Sequence, residues 1–369
     1  ETALTSGMLS MGMDVLEIGP LPTPAVAHLV RSMGADCGIM ITASHNPSDD
    51  NGIKIFNADG FKLPDEVEDE IEKIIRGETP EITPSRIGKA YRIDDARGRY
   101  IEFAKSSIQN RSLKGTKAVL DCANGAAYYI APLILKELGV EVIAISTTPN
   151  GTNINENCGA THPEEMCSLV REHHADVGIS LDGDADRVIF SDANGNVVNG
   201  DRIIGLCALD YKAEGRLTSD SIAVTSMSNM GLIAAMKKAG ITVEITAVGD
   251  RYVIERMKEK SIKLGGEQSG KDKQGKQPQG QQGKKDEAGK DQKPEPQSGK
   301  DGGDGQKEDR KIEQPQPRSA EKKPEEGDID KNQAASVLEE MAKDEKDLRD
   351  AIKAFRKQRY KNTAPAKDW

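Results

Sequence analysis

The chain has 369 residues, enough for two or three domains, and carries 51 Lys and Arg against 61 Asp and Glu for a net charge of −10. Residues 271–369 hold 24 basic and 22 acidic side chains, leaving residues 1–270 with 27 against 39, an acidic balance that argues against nucleic acid as partner. No uncharged apolar window of about 18 residues occurs and no basic segment leads into an apolar one at the start, so neither a membrane span nor a signal peptide is expected. Five scattered cysteines (Cys37, Cys122, Cys158, Cys167 and Cys207) form no Cys-x-x-Cys pair and read as buried free thiols of a cytoplasmic protein.

Residues 1–270 read as α/β sequence, with apolar runs of strand length alternating with helical patterns. Val15–Ile18 predicts a strand, followed by a Gly-Pro-Leu-Pro-Thr-Pro turn. Ala25–Met33 has helical spacing through Val26, Leu29, Val30 and Met33, with Gly34 as its C-cap. The apolar run Gly38–Ile41 then enters Thr42-Ala43-Ser44-His45-Asn46-Pro47, a serine on a turn-rich loop. Leu63–Ile75 predicts a helix entered through Pro64 with acidic residues at its start. Lys117–Cys122 and Val140–Ile145 are strands around a helix ending near Leu138-Gly139, a βαβ unit. Ala175–Leu181 is a strand that runs into Asp182-Gly183-Asp184-Ala185-Asp186-Arg187. Val188–Phe190 and the turn at Asp192–Gly195 predict a hairpin. Ser221–Thr225 and Thr242–Ile245 flank a helix from about Gly231 to Ala239, a second βαβ unit stopped by Gly240. Ile262–Leu264 is read as a short strand before Gly265–Gly270.

At Lys271 the composition turns to Lys, Gly, Gln, Pro, Asp and Glu, which cannot bury enough surface to offset ordering entropy, so 271–328 reads as a disordered linker. Residues 329–369 regain one amphipathic stripe (Leu338, Met341, Leu348, Ile352 and Phe355) and end on Trp369. That pattern fits either a helix that docks to an unknown protein or a solvated helix.

The chemistry concentrates in two loops. Asp182, Asp184 and Asp186 alternate after a strand, and three such carboxylates can converge on one hard cation; without one they would repel one another. Mg²⁺ suits them because it keeps positions open for a phosphate oxygen. An EF-hand is excluded, since Arg187 and Ala193 stand where its Gly and Glu are needed. A haloacid-dehalogenase pattern is disfavoured, since Asp186 stands where Thr or Val is usual. Arg187 could bind phosphate, orient the carboxylates, or simply pair with them. A phosphoryl group on Ser44 could supply the cation's remaining ligand, which points to phosphoryl transfer through a covalent enzyme intermediate.

These motifs together resemble the α-D-phosphohexomutase superfamily. The serine loop 42–47 is similar to its phosphoserine loop, Asn51-Gly52-Ile53-Lys54 to the segment after it, Asp182–Arg187 to its metal loop, and Gly265–Gly270 to its sugar-binding loop. Leu120–Ala127, Asn153-Ile154-Asn155 with Cys158–Glu164, Met227–Leu232 and Val248–Val253 extend the likeness across residues 1–270, closest to the bacterial amino-sugar members. The resemblance implies three-layer α/β domains at 1–92, 93–193 and 194–270, the first and third incomplete and a fourth absent. It implies that phosphorylated Ser44 interconverts glucosamine 6-phosphate and glucosamine 1-phosphate through a sugar bisphosphate. Mg²⁺ would lie between Ser44 and the three aspartates. Lys54 would act near the reacting oxygen, His45 would support the loop, and Asp250, Arg251, Glu267 and Ser269 would bind substrate. The family's usual opening segment and distal phosphate loop have no counterpart here, and impaired turnover is the expectation. The end of the chain resembles the tail of bacterial tetratricopeptide-repeat proteins of aerotolerance operons, without their repeats.

Overall fold

The computed structural model describes residues 1–77, 84–109 and 111–267, and within them the short apolar runs and amphipathic segments fold as layered α/β units. The expected linker and terminal helix lie outside the described residues.

The chain opens with α1 (Thr2–Ser10), β1 (Val15–Glu17) and α2 (Thr23–Met33). α2 begins with Pro24 in its first turn, where the missing N–H costs nothing, and ends at Gly34 in the left-handed conformation (φ 65°). Its apolar residues form two rows. Val26 and Val30 pack with Phe56, while Ala25 and Leu29 pack with Ile101 and Ile130 further along the chain. β2 (Cys37–Ile41) and β3 (Ile53–Asn57) pair antiparallel, from Cys37 opposite Asn57 to Ile41 opposite Ile53. Residues 42–52 are therefore the loop of a hairpin, closed by the Thr42 N–H donating to the Gly52 carbonyl at 2.9 Å. α3 (Asp65–Ile75) carries Asp65, Glu66 and Glu68 in its first turn and Lys73 in its last, as the helix dipole favours. β4 (Ala90–Arg92) pairs parallel with β1.

After α4 (Ala96–Ser106) comes a five-stranded sheet built from β5 (Lys117–Asp121), β6 (Glu141–Ile145), β7 (Val177–Leu181), β8 (Val188–Ser191) and β9 (Val197–Val198), in the order β6-β5-β7-β8-β9. The helix between β5 and β6 is α5 (Ile130–Glu137), and the two strands pair parallel, as the βαβ pattern requires. β5 is an interior strand between β6 and β7, its apolar residues almost wholly buried, and Val119 packs with Met166 and Val170 of α6 (Glu164–Glu172). β7 runs parallel to β5 but antiparallel to β8, with Leu181 opposite Val188, so Asp182–Arg187 is a hairpin turn. β8 and β9 form the next hairpin across Asp192–Gly195, as expected.

The last described part contains α7 (Gly200–Ala213), β10 (Ser221–Thr225), α8 (Met230–Lys238), β11 (Thr242–Thr246), α9 (Asp250–Glu259) and β12 (Gly265–Gly266). Its parallel sheet has the order β11-β10-β12. Ile222 and Val224 of β10 pack with Leu232 and Met236 of α8 and with Ala208 of α7. The short strand read at Ile262–Leu264 falls instead on Gly265–Gly266. Ile262 is buried against Val253 and Ala223, and the chain reaches β10 only after it. Among the described residues no helix is long and apolar enough to cross a membrane.

Candidate active site between the serine and aspartate loops

The β2–β3 hairpin loop and the β7–β8 turn meet. Ser44 Oγ donates to Asp182 Oδ2 at 3.1 Å across 138 residues of sequence. Ser44 itself has a left-handed backbone (φ 57°), and its N–H donates to Thr42 Oγ1 at 2.8 Å. The loops touch so closely that position 183 admits only glycine. A Cβ there would stand 2.6 Å from the Ser44 carbonyl oxygen and 2.8 Å from Asn155 Nδ2. His45 is half-buried on the same loop.

Asp182 and Asp184 are fully buried and Asp186 is exposed, and one carboxylate oxygen from each lies within 4.8 Å of the others. Burial, with the charges of Asp186 and Asp184, pushes Asp182 up to about 6. Burial opposes ionisation of Asp184 too, but Lys54 and the Thr23 hydroxyl hold it below the usual carboxylate range. Lys54 Nζ donates to Asp184 Oδ2 at 2.6 Å and to Asp186 Oδ2 at 2.8 Å. The Thr23 hydroxyl donates to the same Asp184 oxygen, and its N–H to the Asp184 carbonyl at 2.9 Å. Arg187 contributes its main chain, the N–H donating to Asp182 Oδ1 at 3.1 Å; its guanidinium is half-exposed and 4.0 Å from Asp186.

The donor set fits a hard cation. All three ligating groups are carboxylates, and Asp184 Oδ1 is buried with no hydrogen-bond partner, an oxygen that a metal would satisfy.

A cleft of about 320 Å³ adjoins this cluster, lined by Lys54, Lys62, Asp65, Glu68, Asp250 and Arg251 among others. Asp250 and Arg251 open α9 and face the β3–α3 segment. Lys62 pairs with Asp250 at 2.7 Å, Arg251 pairs with Asp65, and the Lys258 ammonium lies 3.9 Å above the Phe61 ring. Lys54 belongs to both cleft and carboxylate cluster. Glu267 is exposed just past β12, and Ser269 lies outside the described residues.

The residues brought together by the fold but not singled out for a role from sequence are Thr23, Thr42, Asn155 and Gly183. Thr23 and Asn155 act across 161 and 111 residues, and no local pattern marks such contacts. Their one visible signal is Asn155's place within the Asn-Ile-Asn stretch.

Family comparison agrees with this architecture. The models for phosphoglucomutase/phosphomannomutase alpha/beta/alpha domains I, II and III match residues 1–81, 98–195 and 199–271 in that order. The chain belongs to the phosphoglucomutase/phosphomannomutase family. Among its relatives, the phosphoglucosamine mutase of Geotalea daltonii is 57% identical over 274 residues, 73% of this chain and 60% of that protein. The phosphoglucosamine mutase of Paracoccus denitrificans is 56% identical over 271 residues, again 73% of this chain and 61% of the relative. A crystal structure of a phosphoglucomutase/phosphomannomutase family protein from Burkholderia thailandensis aligns with a TM-score of 0.64 at 25% identity, covering 73% of this chain and 59% of that one. The chain thus spans about 60% of the length of the curated relatives it matches.

Proposed function

We propose that residues 1–270 carry the phosphoryl-transfer centre of a phosphohexomutase of the phosphoglucosamine mutase type. The observation that carries this reading is the Ser44 hydroxyl 3.1 Å from Asp182, within a three-carboxylate cluster able to hold a metal. The substrate is a sugar phosphate, glucosamine 6-phosphate in exchange with glucosamine 1-phosphate, a class supported by the 57% identity to a phosphoglucosamine mutase.

With Ser44 phosphorylated, the bond from Ser44 Oγ to phosphorus breaks as phosphorus bonds to the free hydroxyl oxygen of the sugar phosphate. The hydroxyl proton passes in net to Ser44 Oγ. The resulting bisphosphate then returns its other phosphoryl group to Ser44, and the proton goes back to the sugar oxygen. Asp182, Asp184 and Asp186, with an oxygen of phosphorylated Ser44, would hold Mg²⁺, which when bound offsets the charge of the transferring group. Burial lowers the proton affinity of Lys54, but two carboxylates raise it further, so it stays an ammonium that can face phosphoryl oxygens. His45 supports the serine loop. Asp250 and Arg251 form the cleft wall against which the sugar phosphate lies, and Glu267 and Ser269 bind its hydroxyls.

Incubating the chain with Mg²⁺ and glucosamine 1,6-bisphosphate is expected to add one phosphoryl group, mapped to Ser44 by mass spectrometry of its peptides. Ser44→Ala is expected to take none. Phosphate on another residue, or none on wild type, sinks the proposal. Comparing kcat/KM for glucosamine 1-phosphate with that for glucose 1-phosphate and mannose 1-phosphate separates the amino-sugar reading from phosphoglucomutase or phosphomannomutase activity. A second reading, a protein that binds metal and sugar phosphate without turnover, draws on the cleft, where Lys62 and Arg251 are already paired with carboxylates. Calorimetric binding of both ligands with no label on Ser44 would single it out.

A further inference from the structure

A residue other than glycine at φ 57° needs outside support, and Ser44 has such a backbone. Part of that support comes from the neighbouring α/β unit. Asn155 Nδ2 donates to the Ser44 carbonyl at 3.0 Å and to the Asn46 carbonyl at 2.9 Å, so one amide group holds the two carbonyls that bracket His45. Only the amino side of the amide can do this, because Oδ1 placed against two carbonyl oxygens would repel both. Asn155 is buried and has the same left-handed backbone (φ 57°), and its N–H donates to the Ala123 carbonyl at 2.9 Å. Its Oδ1 is buried without a partner. The side chain thus satisfies the serine loop while its own acceptor goes unpaired, a cost that an apolar residue at 155 would avoid. Gly183 closes the same contact from the side, its missing Cβ leaving room for both the Ser44 carbonyl and Asn155 Nδ2.

We propose that Asn155 is a positioning residue for the phosphoryl-carrying loop. By holding the main chain on both sides of His45, it fixes where Ser44 Oγ points relative to Asp182, and so governs phosphoryl transfer without touching the sugar. This rests on the reading of Ser44 as the phosphoryl carrier, and the test keeps the two apart.

In the full chain, Asn155→Asp keeps the shape but removes both donors, and Asn155→Ala removes the side chain. Both are expected to speed amide hydrogen exchange in residues 42–47. Both should also slow phosphorylation of Ser44 by glucosamine 1,6-bisphosphate by about 100-fold, the scale of a misplacement of about 1 Å. For Asn155→Ala, which brings no charge to the aspartates, KM for the sugar phosphate and the affinity for Mn²⁺ should be unchanged, whereas a general loss of structure would alter both. In wild type, both Asn155 side-chain amide protons should exchange slowly by nuclear magnetic resonance, a reading that holds even if a variant fails to fold. Rapid exchange of those protons, or folded variants with wild-type exchange at 42–47 and wild-type phosphorylation, overturns the proposal. Should wild type take no phosphate on Ser44, the carrier reading fails, and exchange at 42–47 still decides whether Asn155 holds the loop.

Discussion

Lys54 Nζ stands 2.6 Å from Asp184 and 2.8 Å from Asp186, so one ammonium offsets part of a cluster of three carboxylates. Removing one partner of a mostly buried pair leaves the other charge uncompensated. Lys54→Met is therefore expected to raise the affinity of the cluster for Mn²⁺, since a competing cation is gone. It should also slow phosphoryl transfer on the order of 100- to 1000-fold, the effect of losing one preorganised charge-stabilising group. Titration calorimetry and the rate of Ser44 labelling measure the two effects, and weaker Mn²⁺ binding would refute the electrostatic account. At this scale the sequence is legible where a pattern is local. Alternating aspartates after a strand, and a serine between a strand and an Asn-Pro turn, can be read directly. Thr23 cannot, because nothing near it shows that its hydroxyl meets Asp184.

Among the elements, β5 and β10 could be read from their apolar runs, since burial on both faces of a parallel sheet demands continuous hydrophobicity. α1 could not. Its sequence, rich in Thr and Ser with Gly7 in the middle, has low helix propensity and little apolar periodicity. β3 is equally hard to read, because its partner β2 is joined to it only through the long 42–52 loop. Contacts between elements are equally hidden, as the end of α7 shows. Glu214, its C-cap, accepts from Arg111 Nη2 at 2.8 and 2.9 Å and from Arg216 at 3.2 Å, tying this helix to the segment before β5. Arg111 foremost, then Arg216, holds its carboxyl below the ordinary glutamate value of 4.5. A depressed carboxylate contributes stability that is present above its ordinary value and lost as pH falls through its folded one. Glu214→Gln is thus expected to lower the urea midpoint at pH 7 and to show a shallower further fall on acidification below about pH 4.5. An acid limb as steep as wild type would contradict this.

Across the whole described molecule, the cleft is bounded by the β3–α3 segment on one side and the start of α9 on the other, and the bridges over it are ionic. Exposed pairs of this kind contribute little, so a ligand can displace them. Arg251→Glu is expected to increase hydrogen exchange at residues 61–68, and adding Asp65→Lys should restore protection. A double variant no better protected than the single one would show that the Arg251–Asp65 pair does not bridge the cleft. Such pairings carry no local signal: the Val248–Val253 stretch marks Asp250 and Arg251, and nothing in the sequence marks Lys62 and Asp65 opposite them.

The separation between Ser44 and Asp182 also bears on how the protein is made. The serine loop leaves the ribosome 138 residues before the carboxylate that receives its hydroxyl, a lag of about 7 to 30 seconds at roughly 5–20 residues per second. For the first 111 residues of that interval the nascent hairpin has neither Asp182 nor Asn155 to hold Ser44 in its left-handed backbone. On the proposed reading of Ser44 as the phosphoryl carrier, a nascent chain that has not yet reached Asp182 is expected to take no phosphate from a sugar bisphosphate.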